Sequence, residues 1–172
     1  MPVLRGTEGS DNDSEDLKVL PVCGADSPDA AWSQLSIGGL VNRPRVLDVN
    51  ALSRLSQGEM VDDFRCVSGW VIPGQRWEGV PVADLLDDAG PLPEAQYVGF
   101  TAGGYTVGMT VAEARDAGVI VALRHNGAPL TSEHGGPCRL AVQGREGRWS
   151  VKWLERIDLL AEPPVDTGHH QH

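Results

Sequence analysis

Along this chain apolar positions fall in short runs punctuated by Gly, Pro, Asn and Asp, which is a pattern of brief elements and many turns. Leu35–Val41 alternates apolar and small residues until Asn42-Arg43-Pro44 breaks it, and Arg45–Val49 resumes as a strand. Asn50 stands where it can cap a short helix carrying Leu52 and Leu55 on one side. Met60–Val67 reads as a strand with Cys66 at its end. From Pro81 the period becomes helical, with Val82, Leu85 and Leu86 on one face and Gly90 as the stop. Gln96–Phe100 and Tyr105–Met109 read as strands joined across Gly103-Gly104. Thr110-Val-Ala-Glu113 has the form of a capping box and opens a short helix ending near Gly118. Val119–Arg124 is β-branched and strand-like, and Asn126-Gly127 is a turn signal. Cys138–Val142 and Trp153–Leu159 are the last two predicted strands. Strands broken by short helices, without a long βαβ rhythm, predict a mixed α+β domain that is mostly β.

Composition bounds the function. The 172 residues suit one domain with loose ends: an acidic, disordered tail over 1–30, a folded domain over 31–162 and a flexible tail over 163–172. A net charge of −10 argues against nucleic acid as a partner, because phosphate backbones need a clustered basic surface. The three cysteines, Cys23, Cys66 and Cys138, form no CxxC pair, so neither a structural zinc site nor a dithiol is indicated. No run approaches the ~20 apolar residues of a membrane span. No secretory signal is evident, and a cytoplasmic protein with reduced thiols is the expectation.

Three segments could carry chemistry. Cys66 precedes the turn Ser68-Gly69-Trp70 and has Arg65 beside it, which favours a thiolate; a small buried hydrophobe is the alternative. His134-Gly-Gly-Pro-Cys-Arg139 combines an unusual backbone path with two donors, and arginine suits a phosphate or the edge of a planar heterocycle. Its alternative is a tight loop leading into a strand. Gly144–Lys152 is a glycine-punctuated loop ending Ser150-Val151-Lys152, whose amides, hydroxyl and ammonium suit a phosphate cradle, or else form a solvated edge. Residues 120–160 hold six Lys or Arg against four acids, an inversion of the overall charge that an anionic ligand would need. Of the five tryptophans, Trp32, Trp70, Trp77, Trp149 and Trp153, each is expected in core or pocket wall. His125 is read as structural.

These residues together resemble a family. Cys66-Val-Ser-Gly-Trp70 with Arg76-Trp-Glu-Gly-Val-Pro-Val-Ala-Asp-Leu-Leu86 is similar to the cysteine segment of molybdopterin-binding oxidoreductase domains of the sulfite oxidase and sulfoxide reductase superfamily. His134–Val142 and Ser150–Ile157 are similar to that family's pterin-phosphate segment, and Tyr97–Thr101 with Gly104-Tyr-Thr also match, over roughly residues 35–160 in all. The resemblance implies a sulfite oxidase-type α+β fold, mostly β, that binds one molybdopterin with molybdenum. It implies that Cys66 is the metal ligand and catalytic centre, soft sulfur suiting such a metal. By the same resemblance Thr101 lies near the pterin, and His134, Arg139, Ser150, Val151 (through its backbone) and Lys152 bind the pterin or its phosphate. The implied reaction is two-electron oxygen-atom transfer on a small oxyanion or sulfoxide, working with a separate electron-transfer protein. Arg65, Arg76 or Arg124 near the metal mouth would favour an oxyanion such as sulfite, and a mouth lined by Trp70 and Trp77 a sulfoxide. The alternative is a non-catalytic module that binds the cofactor or partners without turnover.

Overall fold

The computed structural model describes residues 32–65, 71–145 and 149–165. The tail 1–30, Cys66 with the turn after it, and most of the C-terminal tail therefore lie outside the described residues. In chain order the elements are β1 (Leu35–Gly39), β2 (Arg45–Leu47), α1 (Val49–Arg54), β3 (Gly58–Arg65), β4 (Val71–Pro81), α2 (Val82–Ala89), β5 (Tyr97–Ala102), β6 (Tyr105–Thr110), α3 (Val111–Ala114), β7 (Val119–His125), β8 (Ala128–Pro129), a 3-10 turn (Ser132–His134), β9 (Arg139–Val142) and β10 (Arg156–Leu160). This is the α+β, mostly β architecture expected. Among the described residues no helix is long and apolar enough to cross a membrane.

Two sheets share one core. The first runs β2-β1-β10-β5-β6, with β1 and β10 parallel and the other pairs antiparallel. The second runs β3-β4-β7, and β7 then pairs with both β8 and β9. Residues of both sheets and of α1 and α2, among them Ile37, Leu52, Leu86, Phe100, Val121 and Leu140, form one buried cluster. The connection from β9 to β10 leaves the second sheet and enters the first, so it runs along the seam between them.

Local chemistry explains most elements. In α2, Val82, Leu85, Leu86 and Ala89 are buried on one face, and Gly90 takes a left-handed C-cap whose N–H donates to Leu86 O. Thr110 and Glu113 close the expected capping box, although α3 is a single turn that ends before Gly118. Asn126 and Gly127, both at positive φ, make the β7–β8 turn.

Three expectations are corrected. The cap of α1 is Asp48, whose Oδ1 accepts from Ala51 N, and not Asn50, which lies inside the helix. The last strand starts at Arg156, because Trp153–Glu155 is used in the seam. The longest strand, β4, has no counterpart in the predicted elements. Its buried positions are Gln75, Trp77, Gly79 and Val80, with a register shift between Glu78 and Gly79, and Pro73-Gly74 interrupts its start, so apolar alternation is hidden. Gly79 is needed there: a Cβ would sit 1.9 Å from Val121 O on the neighbouring strand.

Candidate functional site

Among the described residues five polar or charged side chains are buried: Gln75, His134, Arg139, Ser150 and Lys152. A buried polar group is the informative exception in a core. Four of the five come from the two segments singled out in the sequence, and the fold brings those segments together along the seam.

The first segment enters from β8. The 3-10 turn Ser132–His134 is closed by His134 N donating to Thr131 O at 3.1 Å, and Gly136 N donates to Thr131 O at 2.8 Å. Gly135 takes φ 93, and a Cβ there would lie 2.8 Å from the Lys152 side chain. Gly136 is equally confined, since a Cβ would meet Leu130 O at 2.3 Å. Gly135 thus lets the turn approach the second segment, and Gly136 lets it pack back on Leu130. Arg139 then opens β9, 1% exposed, with Nη1 donating to His134 O at 2.9 Å.

The second segment is the β9–β10 crossover. Leu140 N donates to Val151 O at 3.0 Å, Trp153 N to Gly135 O at 3.0 Å and Leu154 N to Cys138 O at 3.1 Å. Ser150, Val151 and Lys152 are all buried, Lys152 to 2% exposure. Cys138, expected in the core, is buried and its thiol donates to Leu154 O at 3.3 Å. Burial also pushes that thiol's pKa well up, which keeps it un-ionised. Thr101 stands at the border of this region on β5. Its carbonyl accepts from Glu155 N at 3.0 Å, and its hydroxyl lies 3.1 Å from that of Thr106.

Electrostatics set Arg139 and Lys152 apart. Desolvation by burial, with the neighbouring Arg139 charge acting in the same direction, lowers the Lys152 pKa to about 7. Burial lowers Arg139 to about 10, with Tyr105 acting in the opposite direction. Two cations drawn out of water and repelling each other are unfavourable on their own. An anion placed between them would offset both effects, and donors from Arg and Lys to an anion are worth roughly 1.5–3 kcal/mol each. These donors therefore suit a phosphate-bearing ligand, and Arg139 with Lys152 could form the recess that holds one.

Behind Arg139 lies a layer that the sequence reading passed over. The guanidinium carbon is 5.1 Å from the Trp77 ring centroid, and Trp77 packs on His125 with centroids 4.5 Å apart. His125 Nε2 lies 2.6 Å from Gln75 Oε1, which also accepts from Asn126 Nδ2 at 3.0 Å. Gln75 Nε2 donates to Pro73 O, so its oxygen is the acceptor and His125 Nε2 carries the proton. His125 is held between the Gln75 amide and the Trp77 ring. Gln75 was missed, and its only sequence signal was an inward register on an unrecognised strand. Trp77 is buried under Arg139 rather than lining a mouth. Arg76 and Arg124 are exposed and pair with Glu59 at 3.5 Å and Glu78 at 3.9 Å. Cys66 and Trp70 fall outside the described residues.

Comparison with known proteins names this arrangement. The family model for the oxidoreductase molybdopterin binding domain matches residues 23–167. The chain belongs to the molybdopterin-binding oxidoreductase family. The cofactor that this family implies is molybdopterin carrying molybdenum. The molybdopterin-binding domain is 34% identical over 157 residues to the protein-methionine-sulfoxide reductase catalytic subunit MsrP of Gluconobacter oxydans (strain 621H), covering 79% of this chain and 49% of that protein. It is 33% identical over 132 residues to the uncharacterized oxidoreductase YuiH of Bacillus subtilis (strain 168), covering 76% of this chain and 66% of that one. Among solved structures, the sulfane dehydrogenase SoxCD from Paracoccus pantotrophus superposes with a TM-score of 0.73 at 26% identity, over 80% of this chain and 41% of that chain. The chain thus spans between about half and two-thirds of the curated relatives it matches.

Proposed function

We propose that this domain is the cofactor-bearing catalytic unit of a molybdenum oxidoreductase that moves an oxygen atom to or from sulfur, with electrons exchanged through a separate protein. The observation that carries this reading is the pair of buried, mutually repelling cations Arg139 and Lys152 at the seam, with Gly135 packed closely on Lys152, in a chain of this family. In the proposal Arg139 and Lys152 take the cofactor's phosphate, and His134, Ser150 and the Val151 backbone take further polar edges of the same ligand. Thr101 borders the pterin, and Cys66 supplies the thiolate to the metal.

When bound, the cofactor supplies two-electron oxygen-atom transfer. The overall reactions balance in two directions. A sulfoxide with two electrons and two protons gives a sulfide and water; sulfite with water gives sulfate, two protons and two electrons. Similarity to a sulfoxide reductase catalytic subunit favours the first direction and a separate electron donor. The chain's own part is to bind and orient. Arg139 is held from behind by Trp77 and from the side by His134 O, so its fork is fixed before any ligand arrives. Lys152 takes up and holds a proton when an anion is beside it.

Molybdenum and pterin analysis of protein from its native host tests this, followed by turnover of sulfoxides and sulfite with artificial electron carriers. The expected result is about one molybdenum and one pterin per chain, with turnover that Cys66→Ser abolishes while the fold persists. Folded native protein lacking both groups would point to the non-catalytic module. Undiminished turnover in Cys66→Ser would remove the ligand assignment.

A further inference from the structure

The crossover that carries Ser150–Lys152 turns at Trp153, and Trp153 does so at φ 54. Left-handed backbone is unfavourable for an L-residue, and for a bulky aromatic side chain it is an outlier. Glycine would take this conformation without that cost. A tryptophan there must be held by what surrounds it.

Three contacts do so. The Trp153 backbone N–H donates to Gly135 O at 3.0 Å, and its indole Nε1–H donates to Ser132 O at 2.8 Å. Lys152 Nζ lies 5.9 Å from the centroid of the same ring. Ser132 and Gly135 bracket His134 in the 3-10 turn. One buried residue, 6% exposed, therefore grips the turn of the first segment by both ends while its ring lies beside the ammonium of the second.

We propose that Trp153 is a positioning residue that sets the turn carrying His134 against Lys152 and so pre-forms the recess for the cofactor's anionic group. The inference rests on the cofactor reading above and deepens it. Trp153 acts through the carbonyls of Ser132 and Gly135 and through Lys152, without touching the anion. The indole N–H is the part that matters: phenylalanine keeps a smaller aromatic ring but removes one of the two donors, Trp153 Nε1–H and Gly135 N–H, from which the Ser132 carbonyl accepts, and so unties Trp153 from the turn. Preorganised donors lose less entropy on binding, so untying the turn is felt as faster ligand loss more than as unfolding.

The test follows cofactor loss from purified holoprotein as fluorescent pterin retained per chain over time, alongside the thermal midpoint of the cofactor-free form. Trp153→Phe is expected to lose cofactor about tenfold faster, equivalent to about 1.4 kcal/mol. With Lys152→Met already in place, the same substitution should change the rate by less than threefold, because the two residues act on one recess. Trp153→Gly suits the left-handed backbone but empties a buried site, so its thermal midpoint is read beside its retention, and while folded it should lose cofactor at least as fast as Trp153→Phe. Retention at the wild-type rate in both Trp153 variants, with Lys152→Met impaired, would sink the positioning role alone. Fully additive effects of Trp153→Phe and Lys152→Met would do the same, since a residue that merely stabilises the fold does not couple to Lys152. Wild-type retention in Lys152→Met would overturn the phosphate recess itself and this inference with it.

Discussion

Lys152→Met isolates the cost of keeping a cation in the recess. The side chain is 2% exposed, and burial with the Arg139 charge brings its pKa from 10.5 to about 7. At about 1.4 kcal/mol per pKa unit this sets about 5 kcal/mol against the charged ammonium, an upper bound before the surroundings relax. Replacing buried charges with apolar groups of similar volume typically recovers ~1–4 kcal/mol. Taking ~2 kcal/mol, the thermal midpoint of the cofactor-free variant should exceed wild type by about 4–8 °C at pH 6. The pKa is lower in the folded state, so the penalty is complete below pH 7, shrinks between pH 7 and 10.5, and is gone above that range. At pH 9 the gain should accordingly fall below half its pH 6 value. Cofactor retention should move the opposite way, since methionine offers the phosphate no charge. Differential scanning calorimetry at the two pH values, with pterin content on the same samples, checks both signs. A variant no more stable than wild type at pH 6, or a gain independent of pH, would refute the idea that Lys152 is held at a cost for an anion.

Two further substitutions probe the scaffold. Gly136→Ala places a Cβ 2.3 Å from Leu130 O, a backbone atom that cannot step aside, so the turn must shift. Pterin content should fall severalfold and the thermal midpoint should drop; a variant that keeps both would mean that the close approach is not required. Asp48→Ala removes the side-chain acceptor of Ala51 N at the start of α1 and should cost about 1 kcal/mol by urea denaturation. Because α1 supplies Leu52 to the core but no residue to the recess, cofactor content should not change.

Elements governed by neighbours a few residues away were legible in the sequence. The apolar face Val82, Leu85 and Leu86 with Gly90 behind it marks α2, Thr110 with Glu113 marks α3, and Asn126-Gly127 marks the β7–β8 turn. Each signal is a side chain acting on backbone within one or two turns, which is information the local sequence contains. Strand β4 was not legible. Two of its buried residues, Gln75 and Gly79, are chosen by His125 and Asn126, about fifty positions away, and by the backbone of β7, and neither carries an apolar side chain. The site divides the same way. Motif chemistry singled out His134, Arg139, Ser150 and Lys152, because glycines, a guanidinium and an ammonium at such spacing suit an anion wherever they fold. That Arg139 and Lys152 are buried side by side with lowered pKa values was decided by the crossover from β9 to β10. So was the left-handed Trp153 whose indole reaches Ser132, twenty-one residues back. Burial and mutual repulsion are properties of pairs brought together across the chain, and only the packing of the two sheets against one core decides which pairs meet.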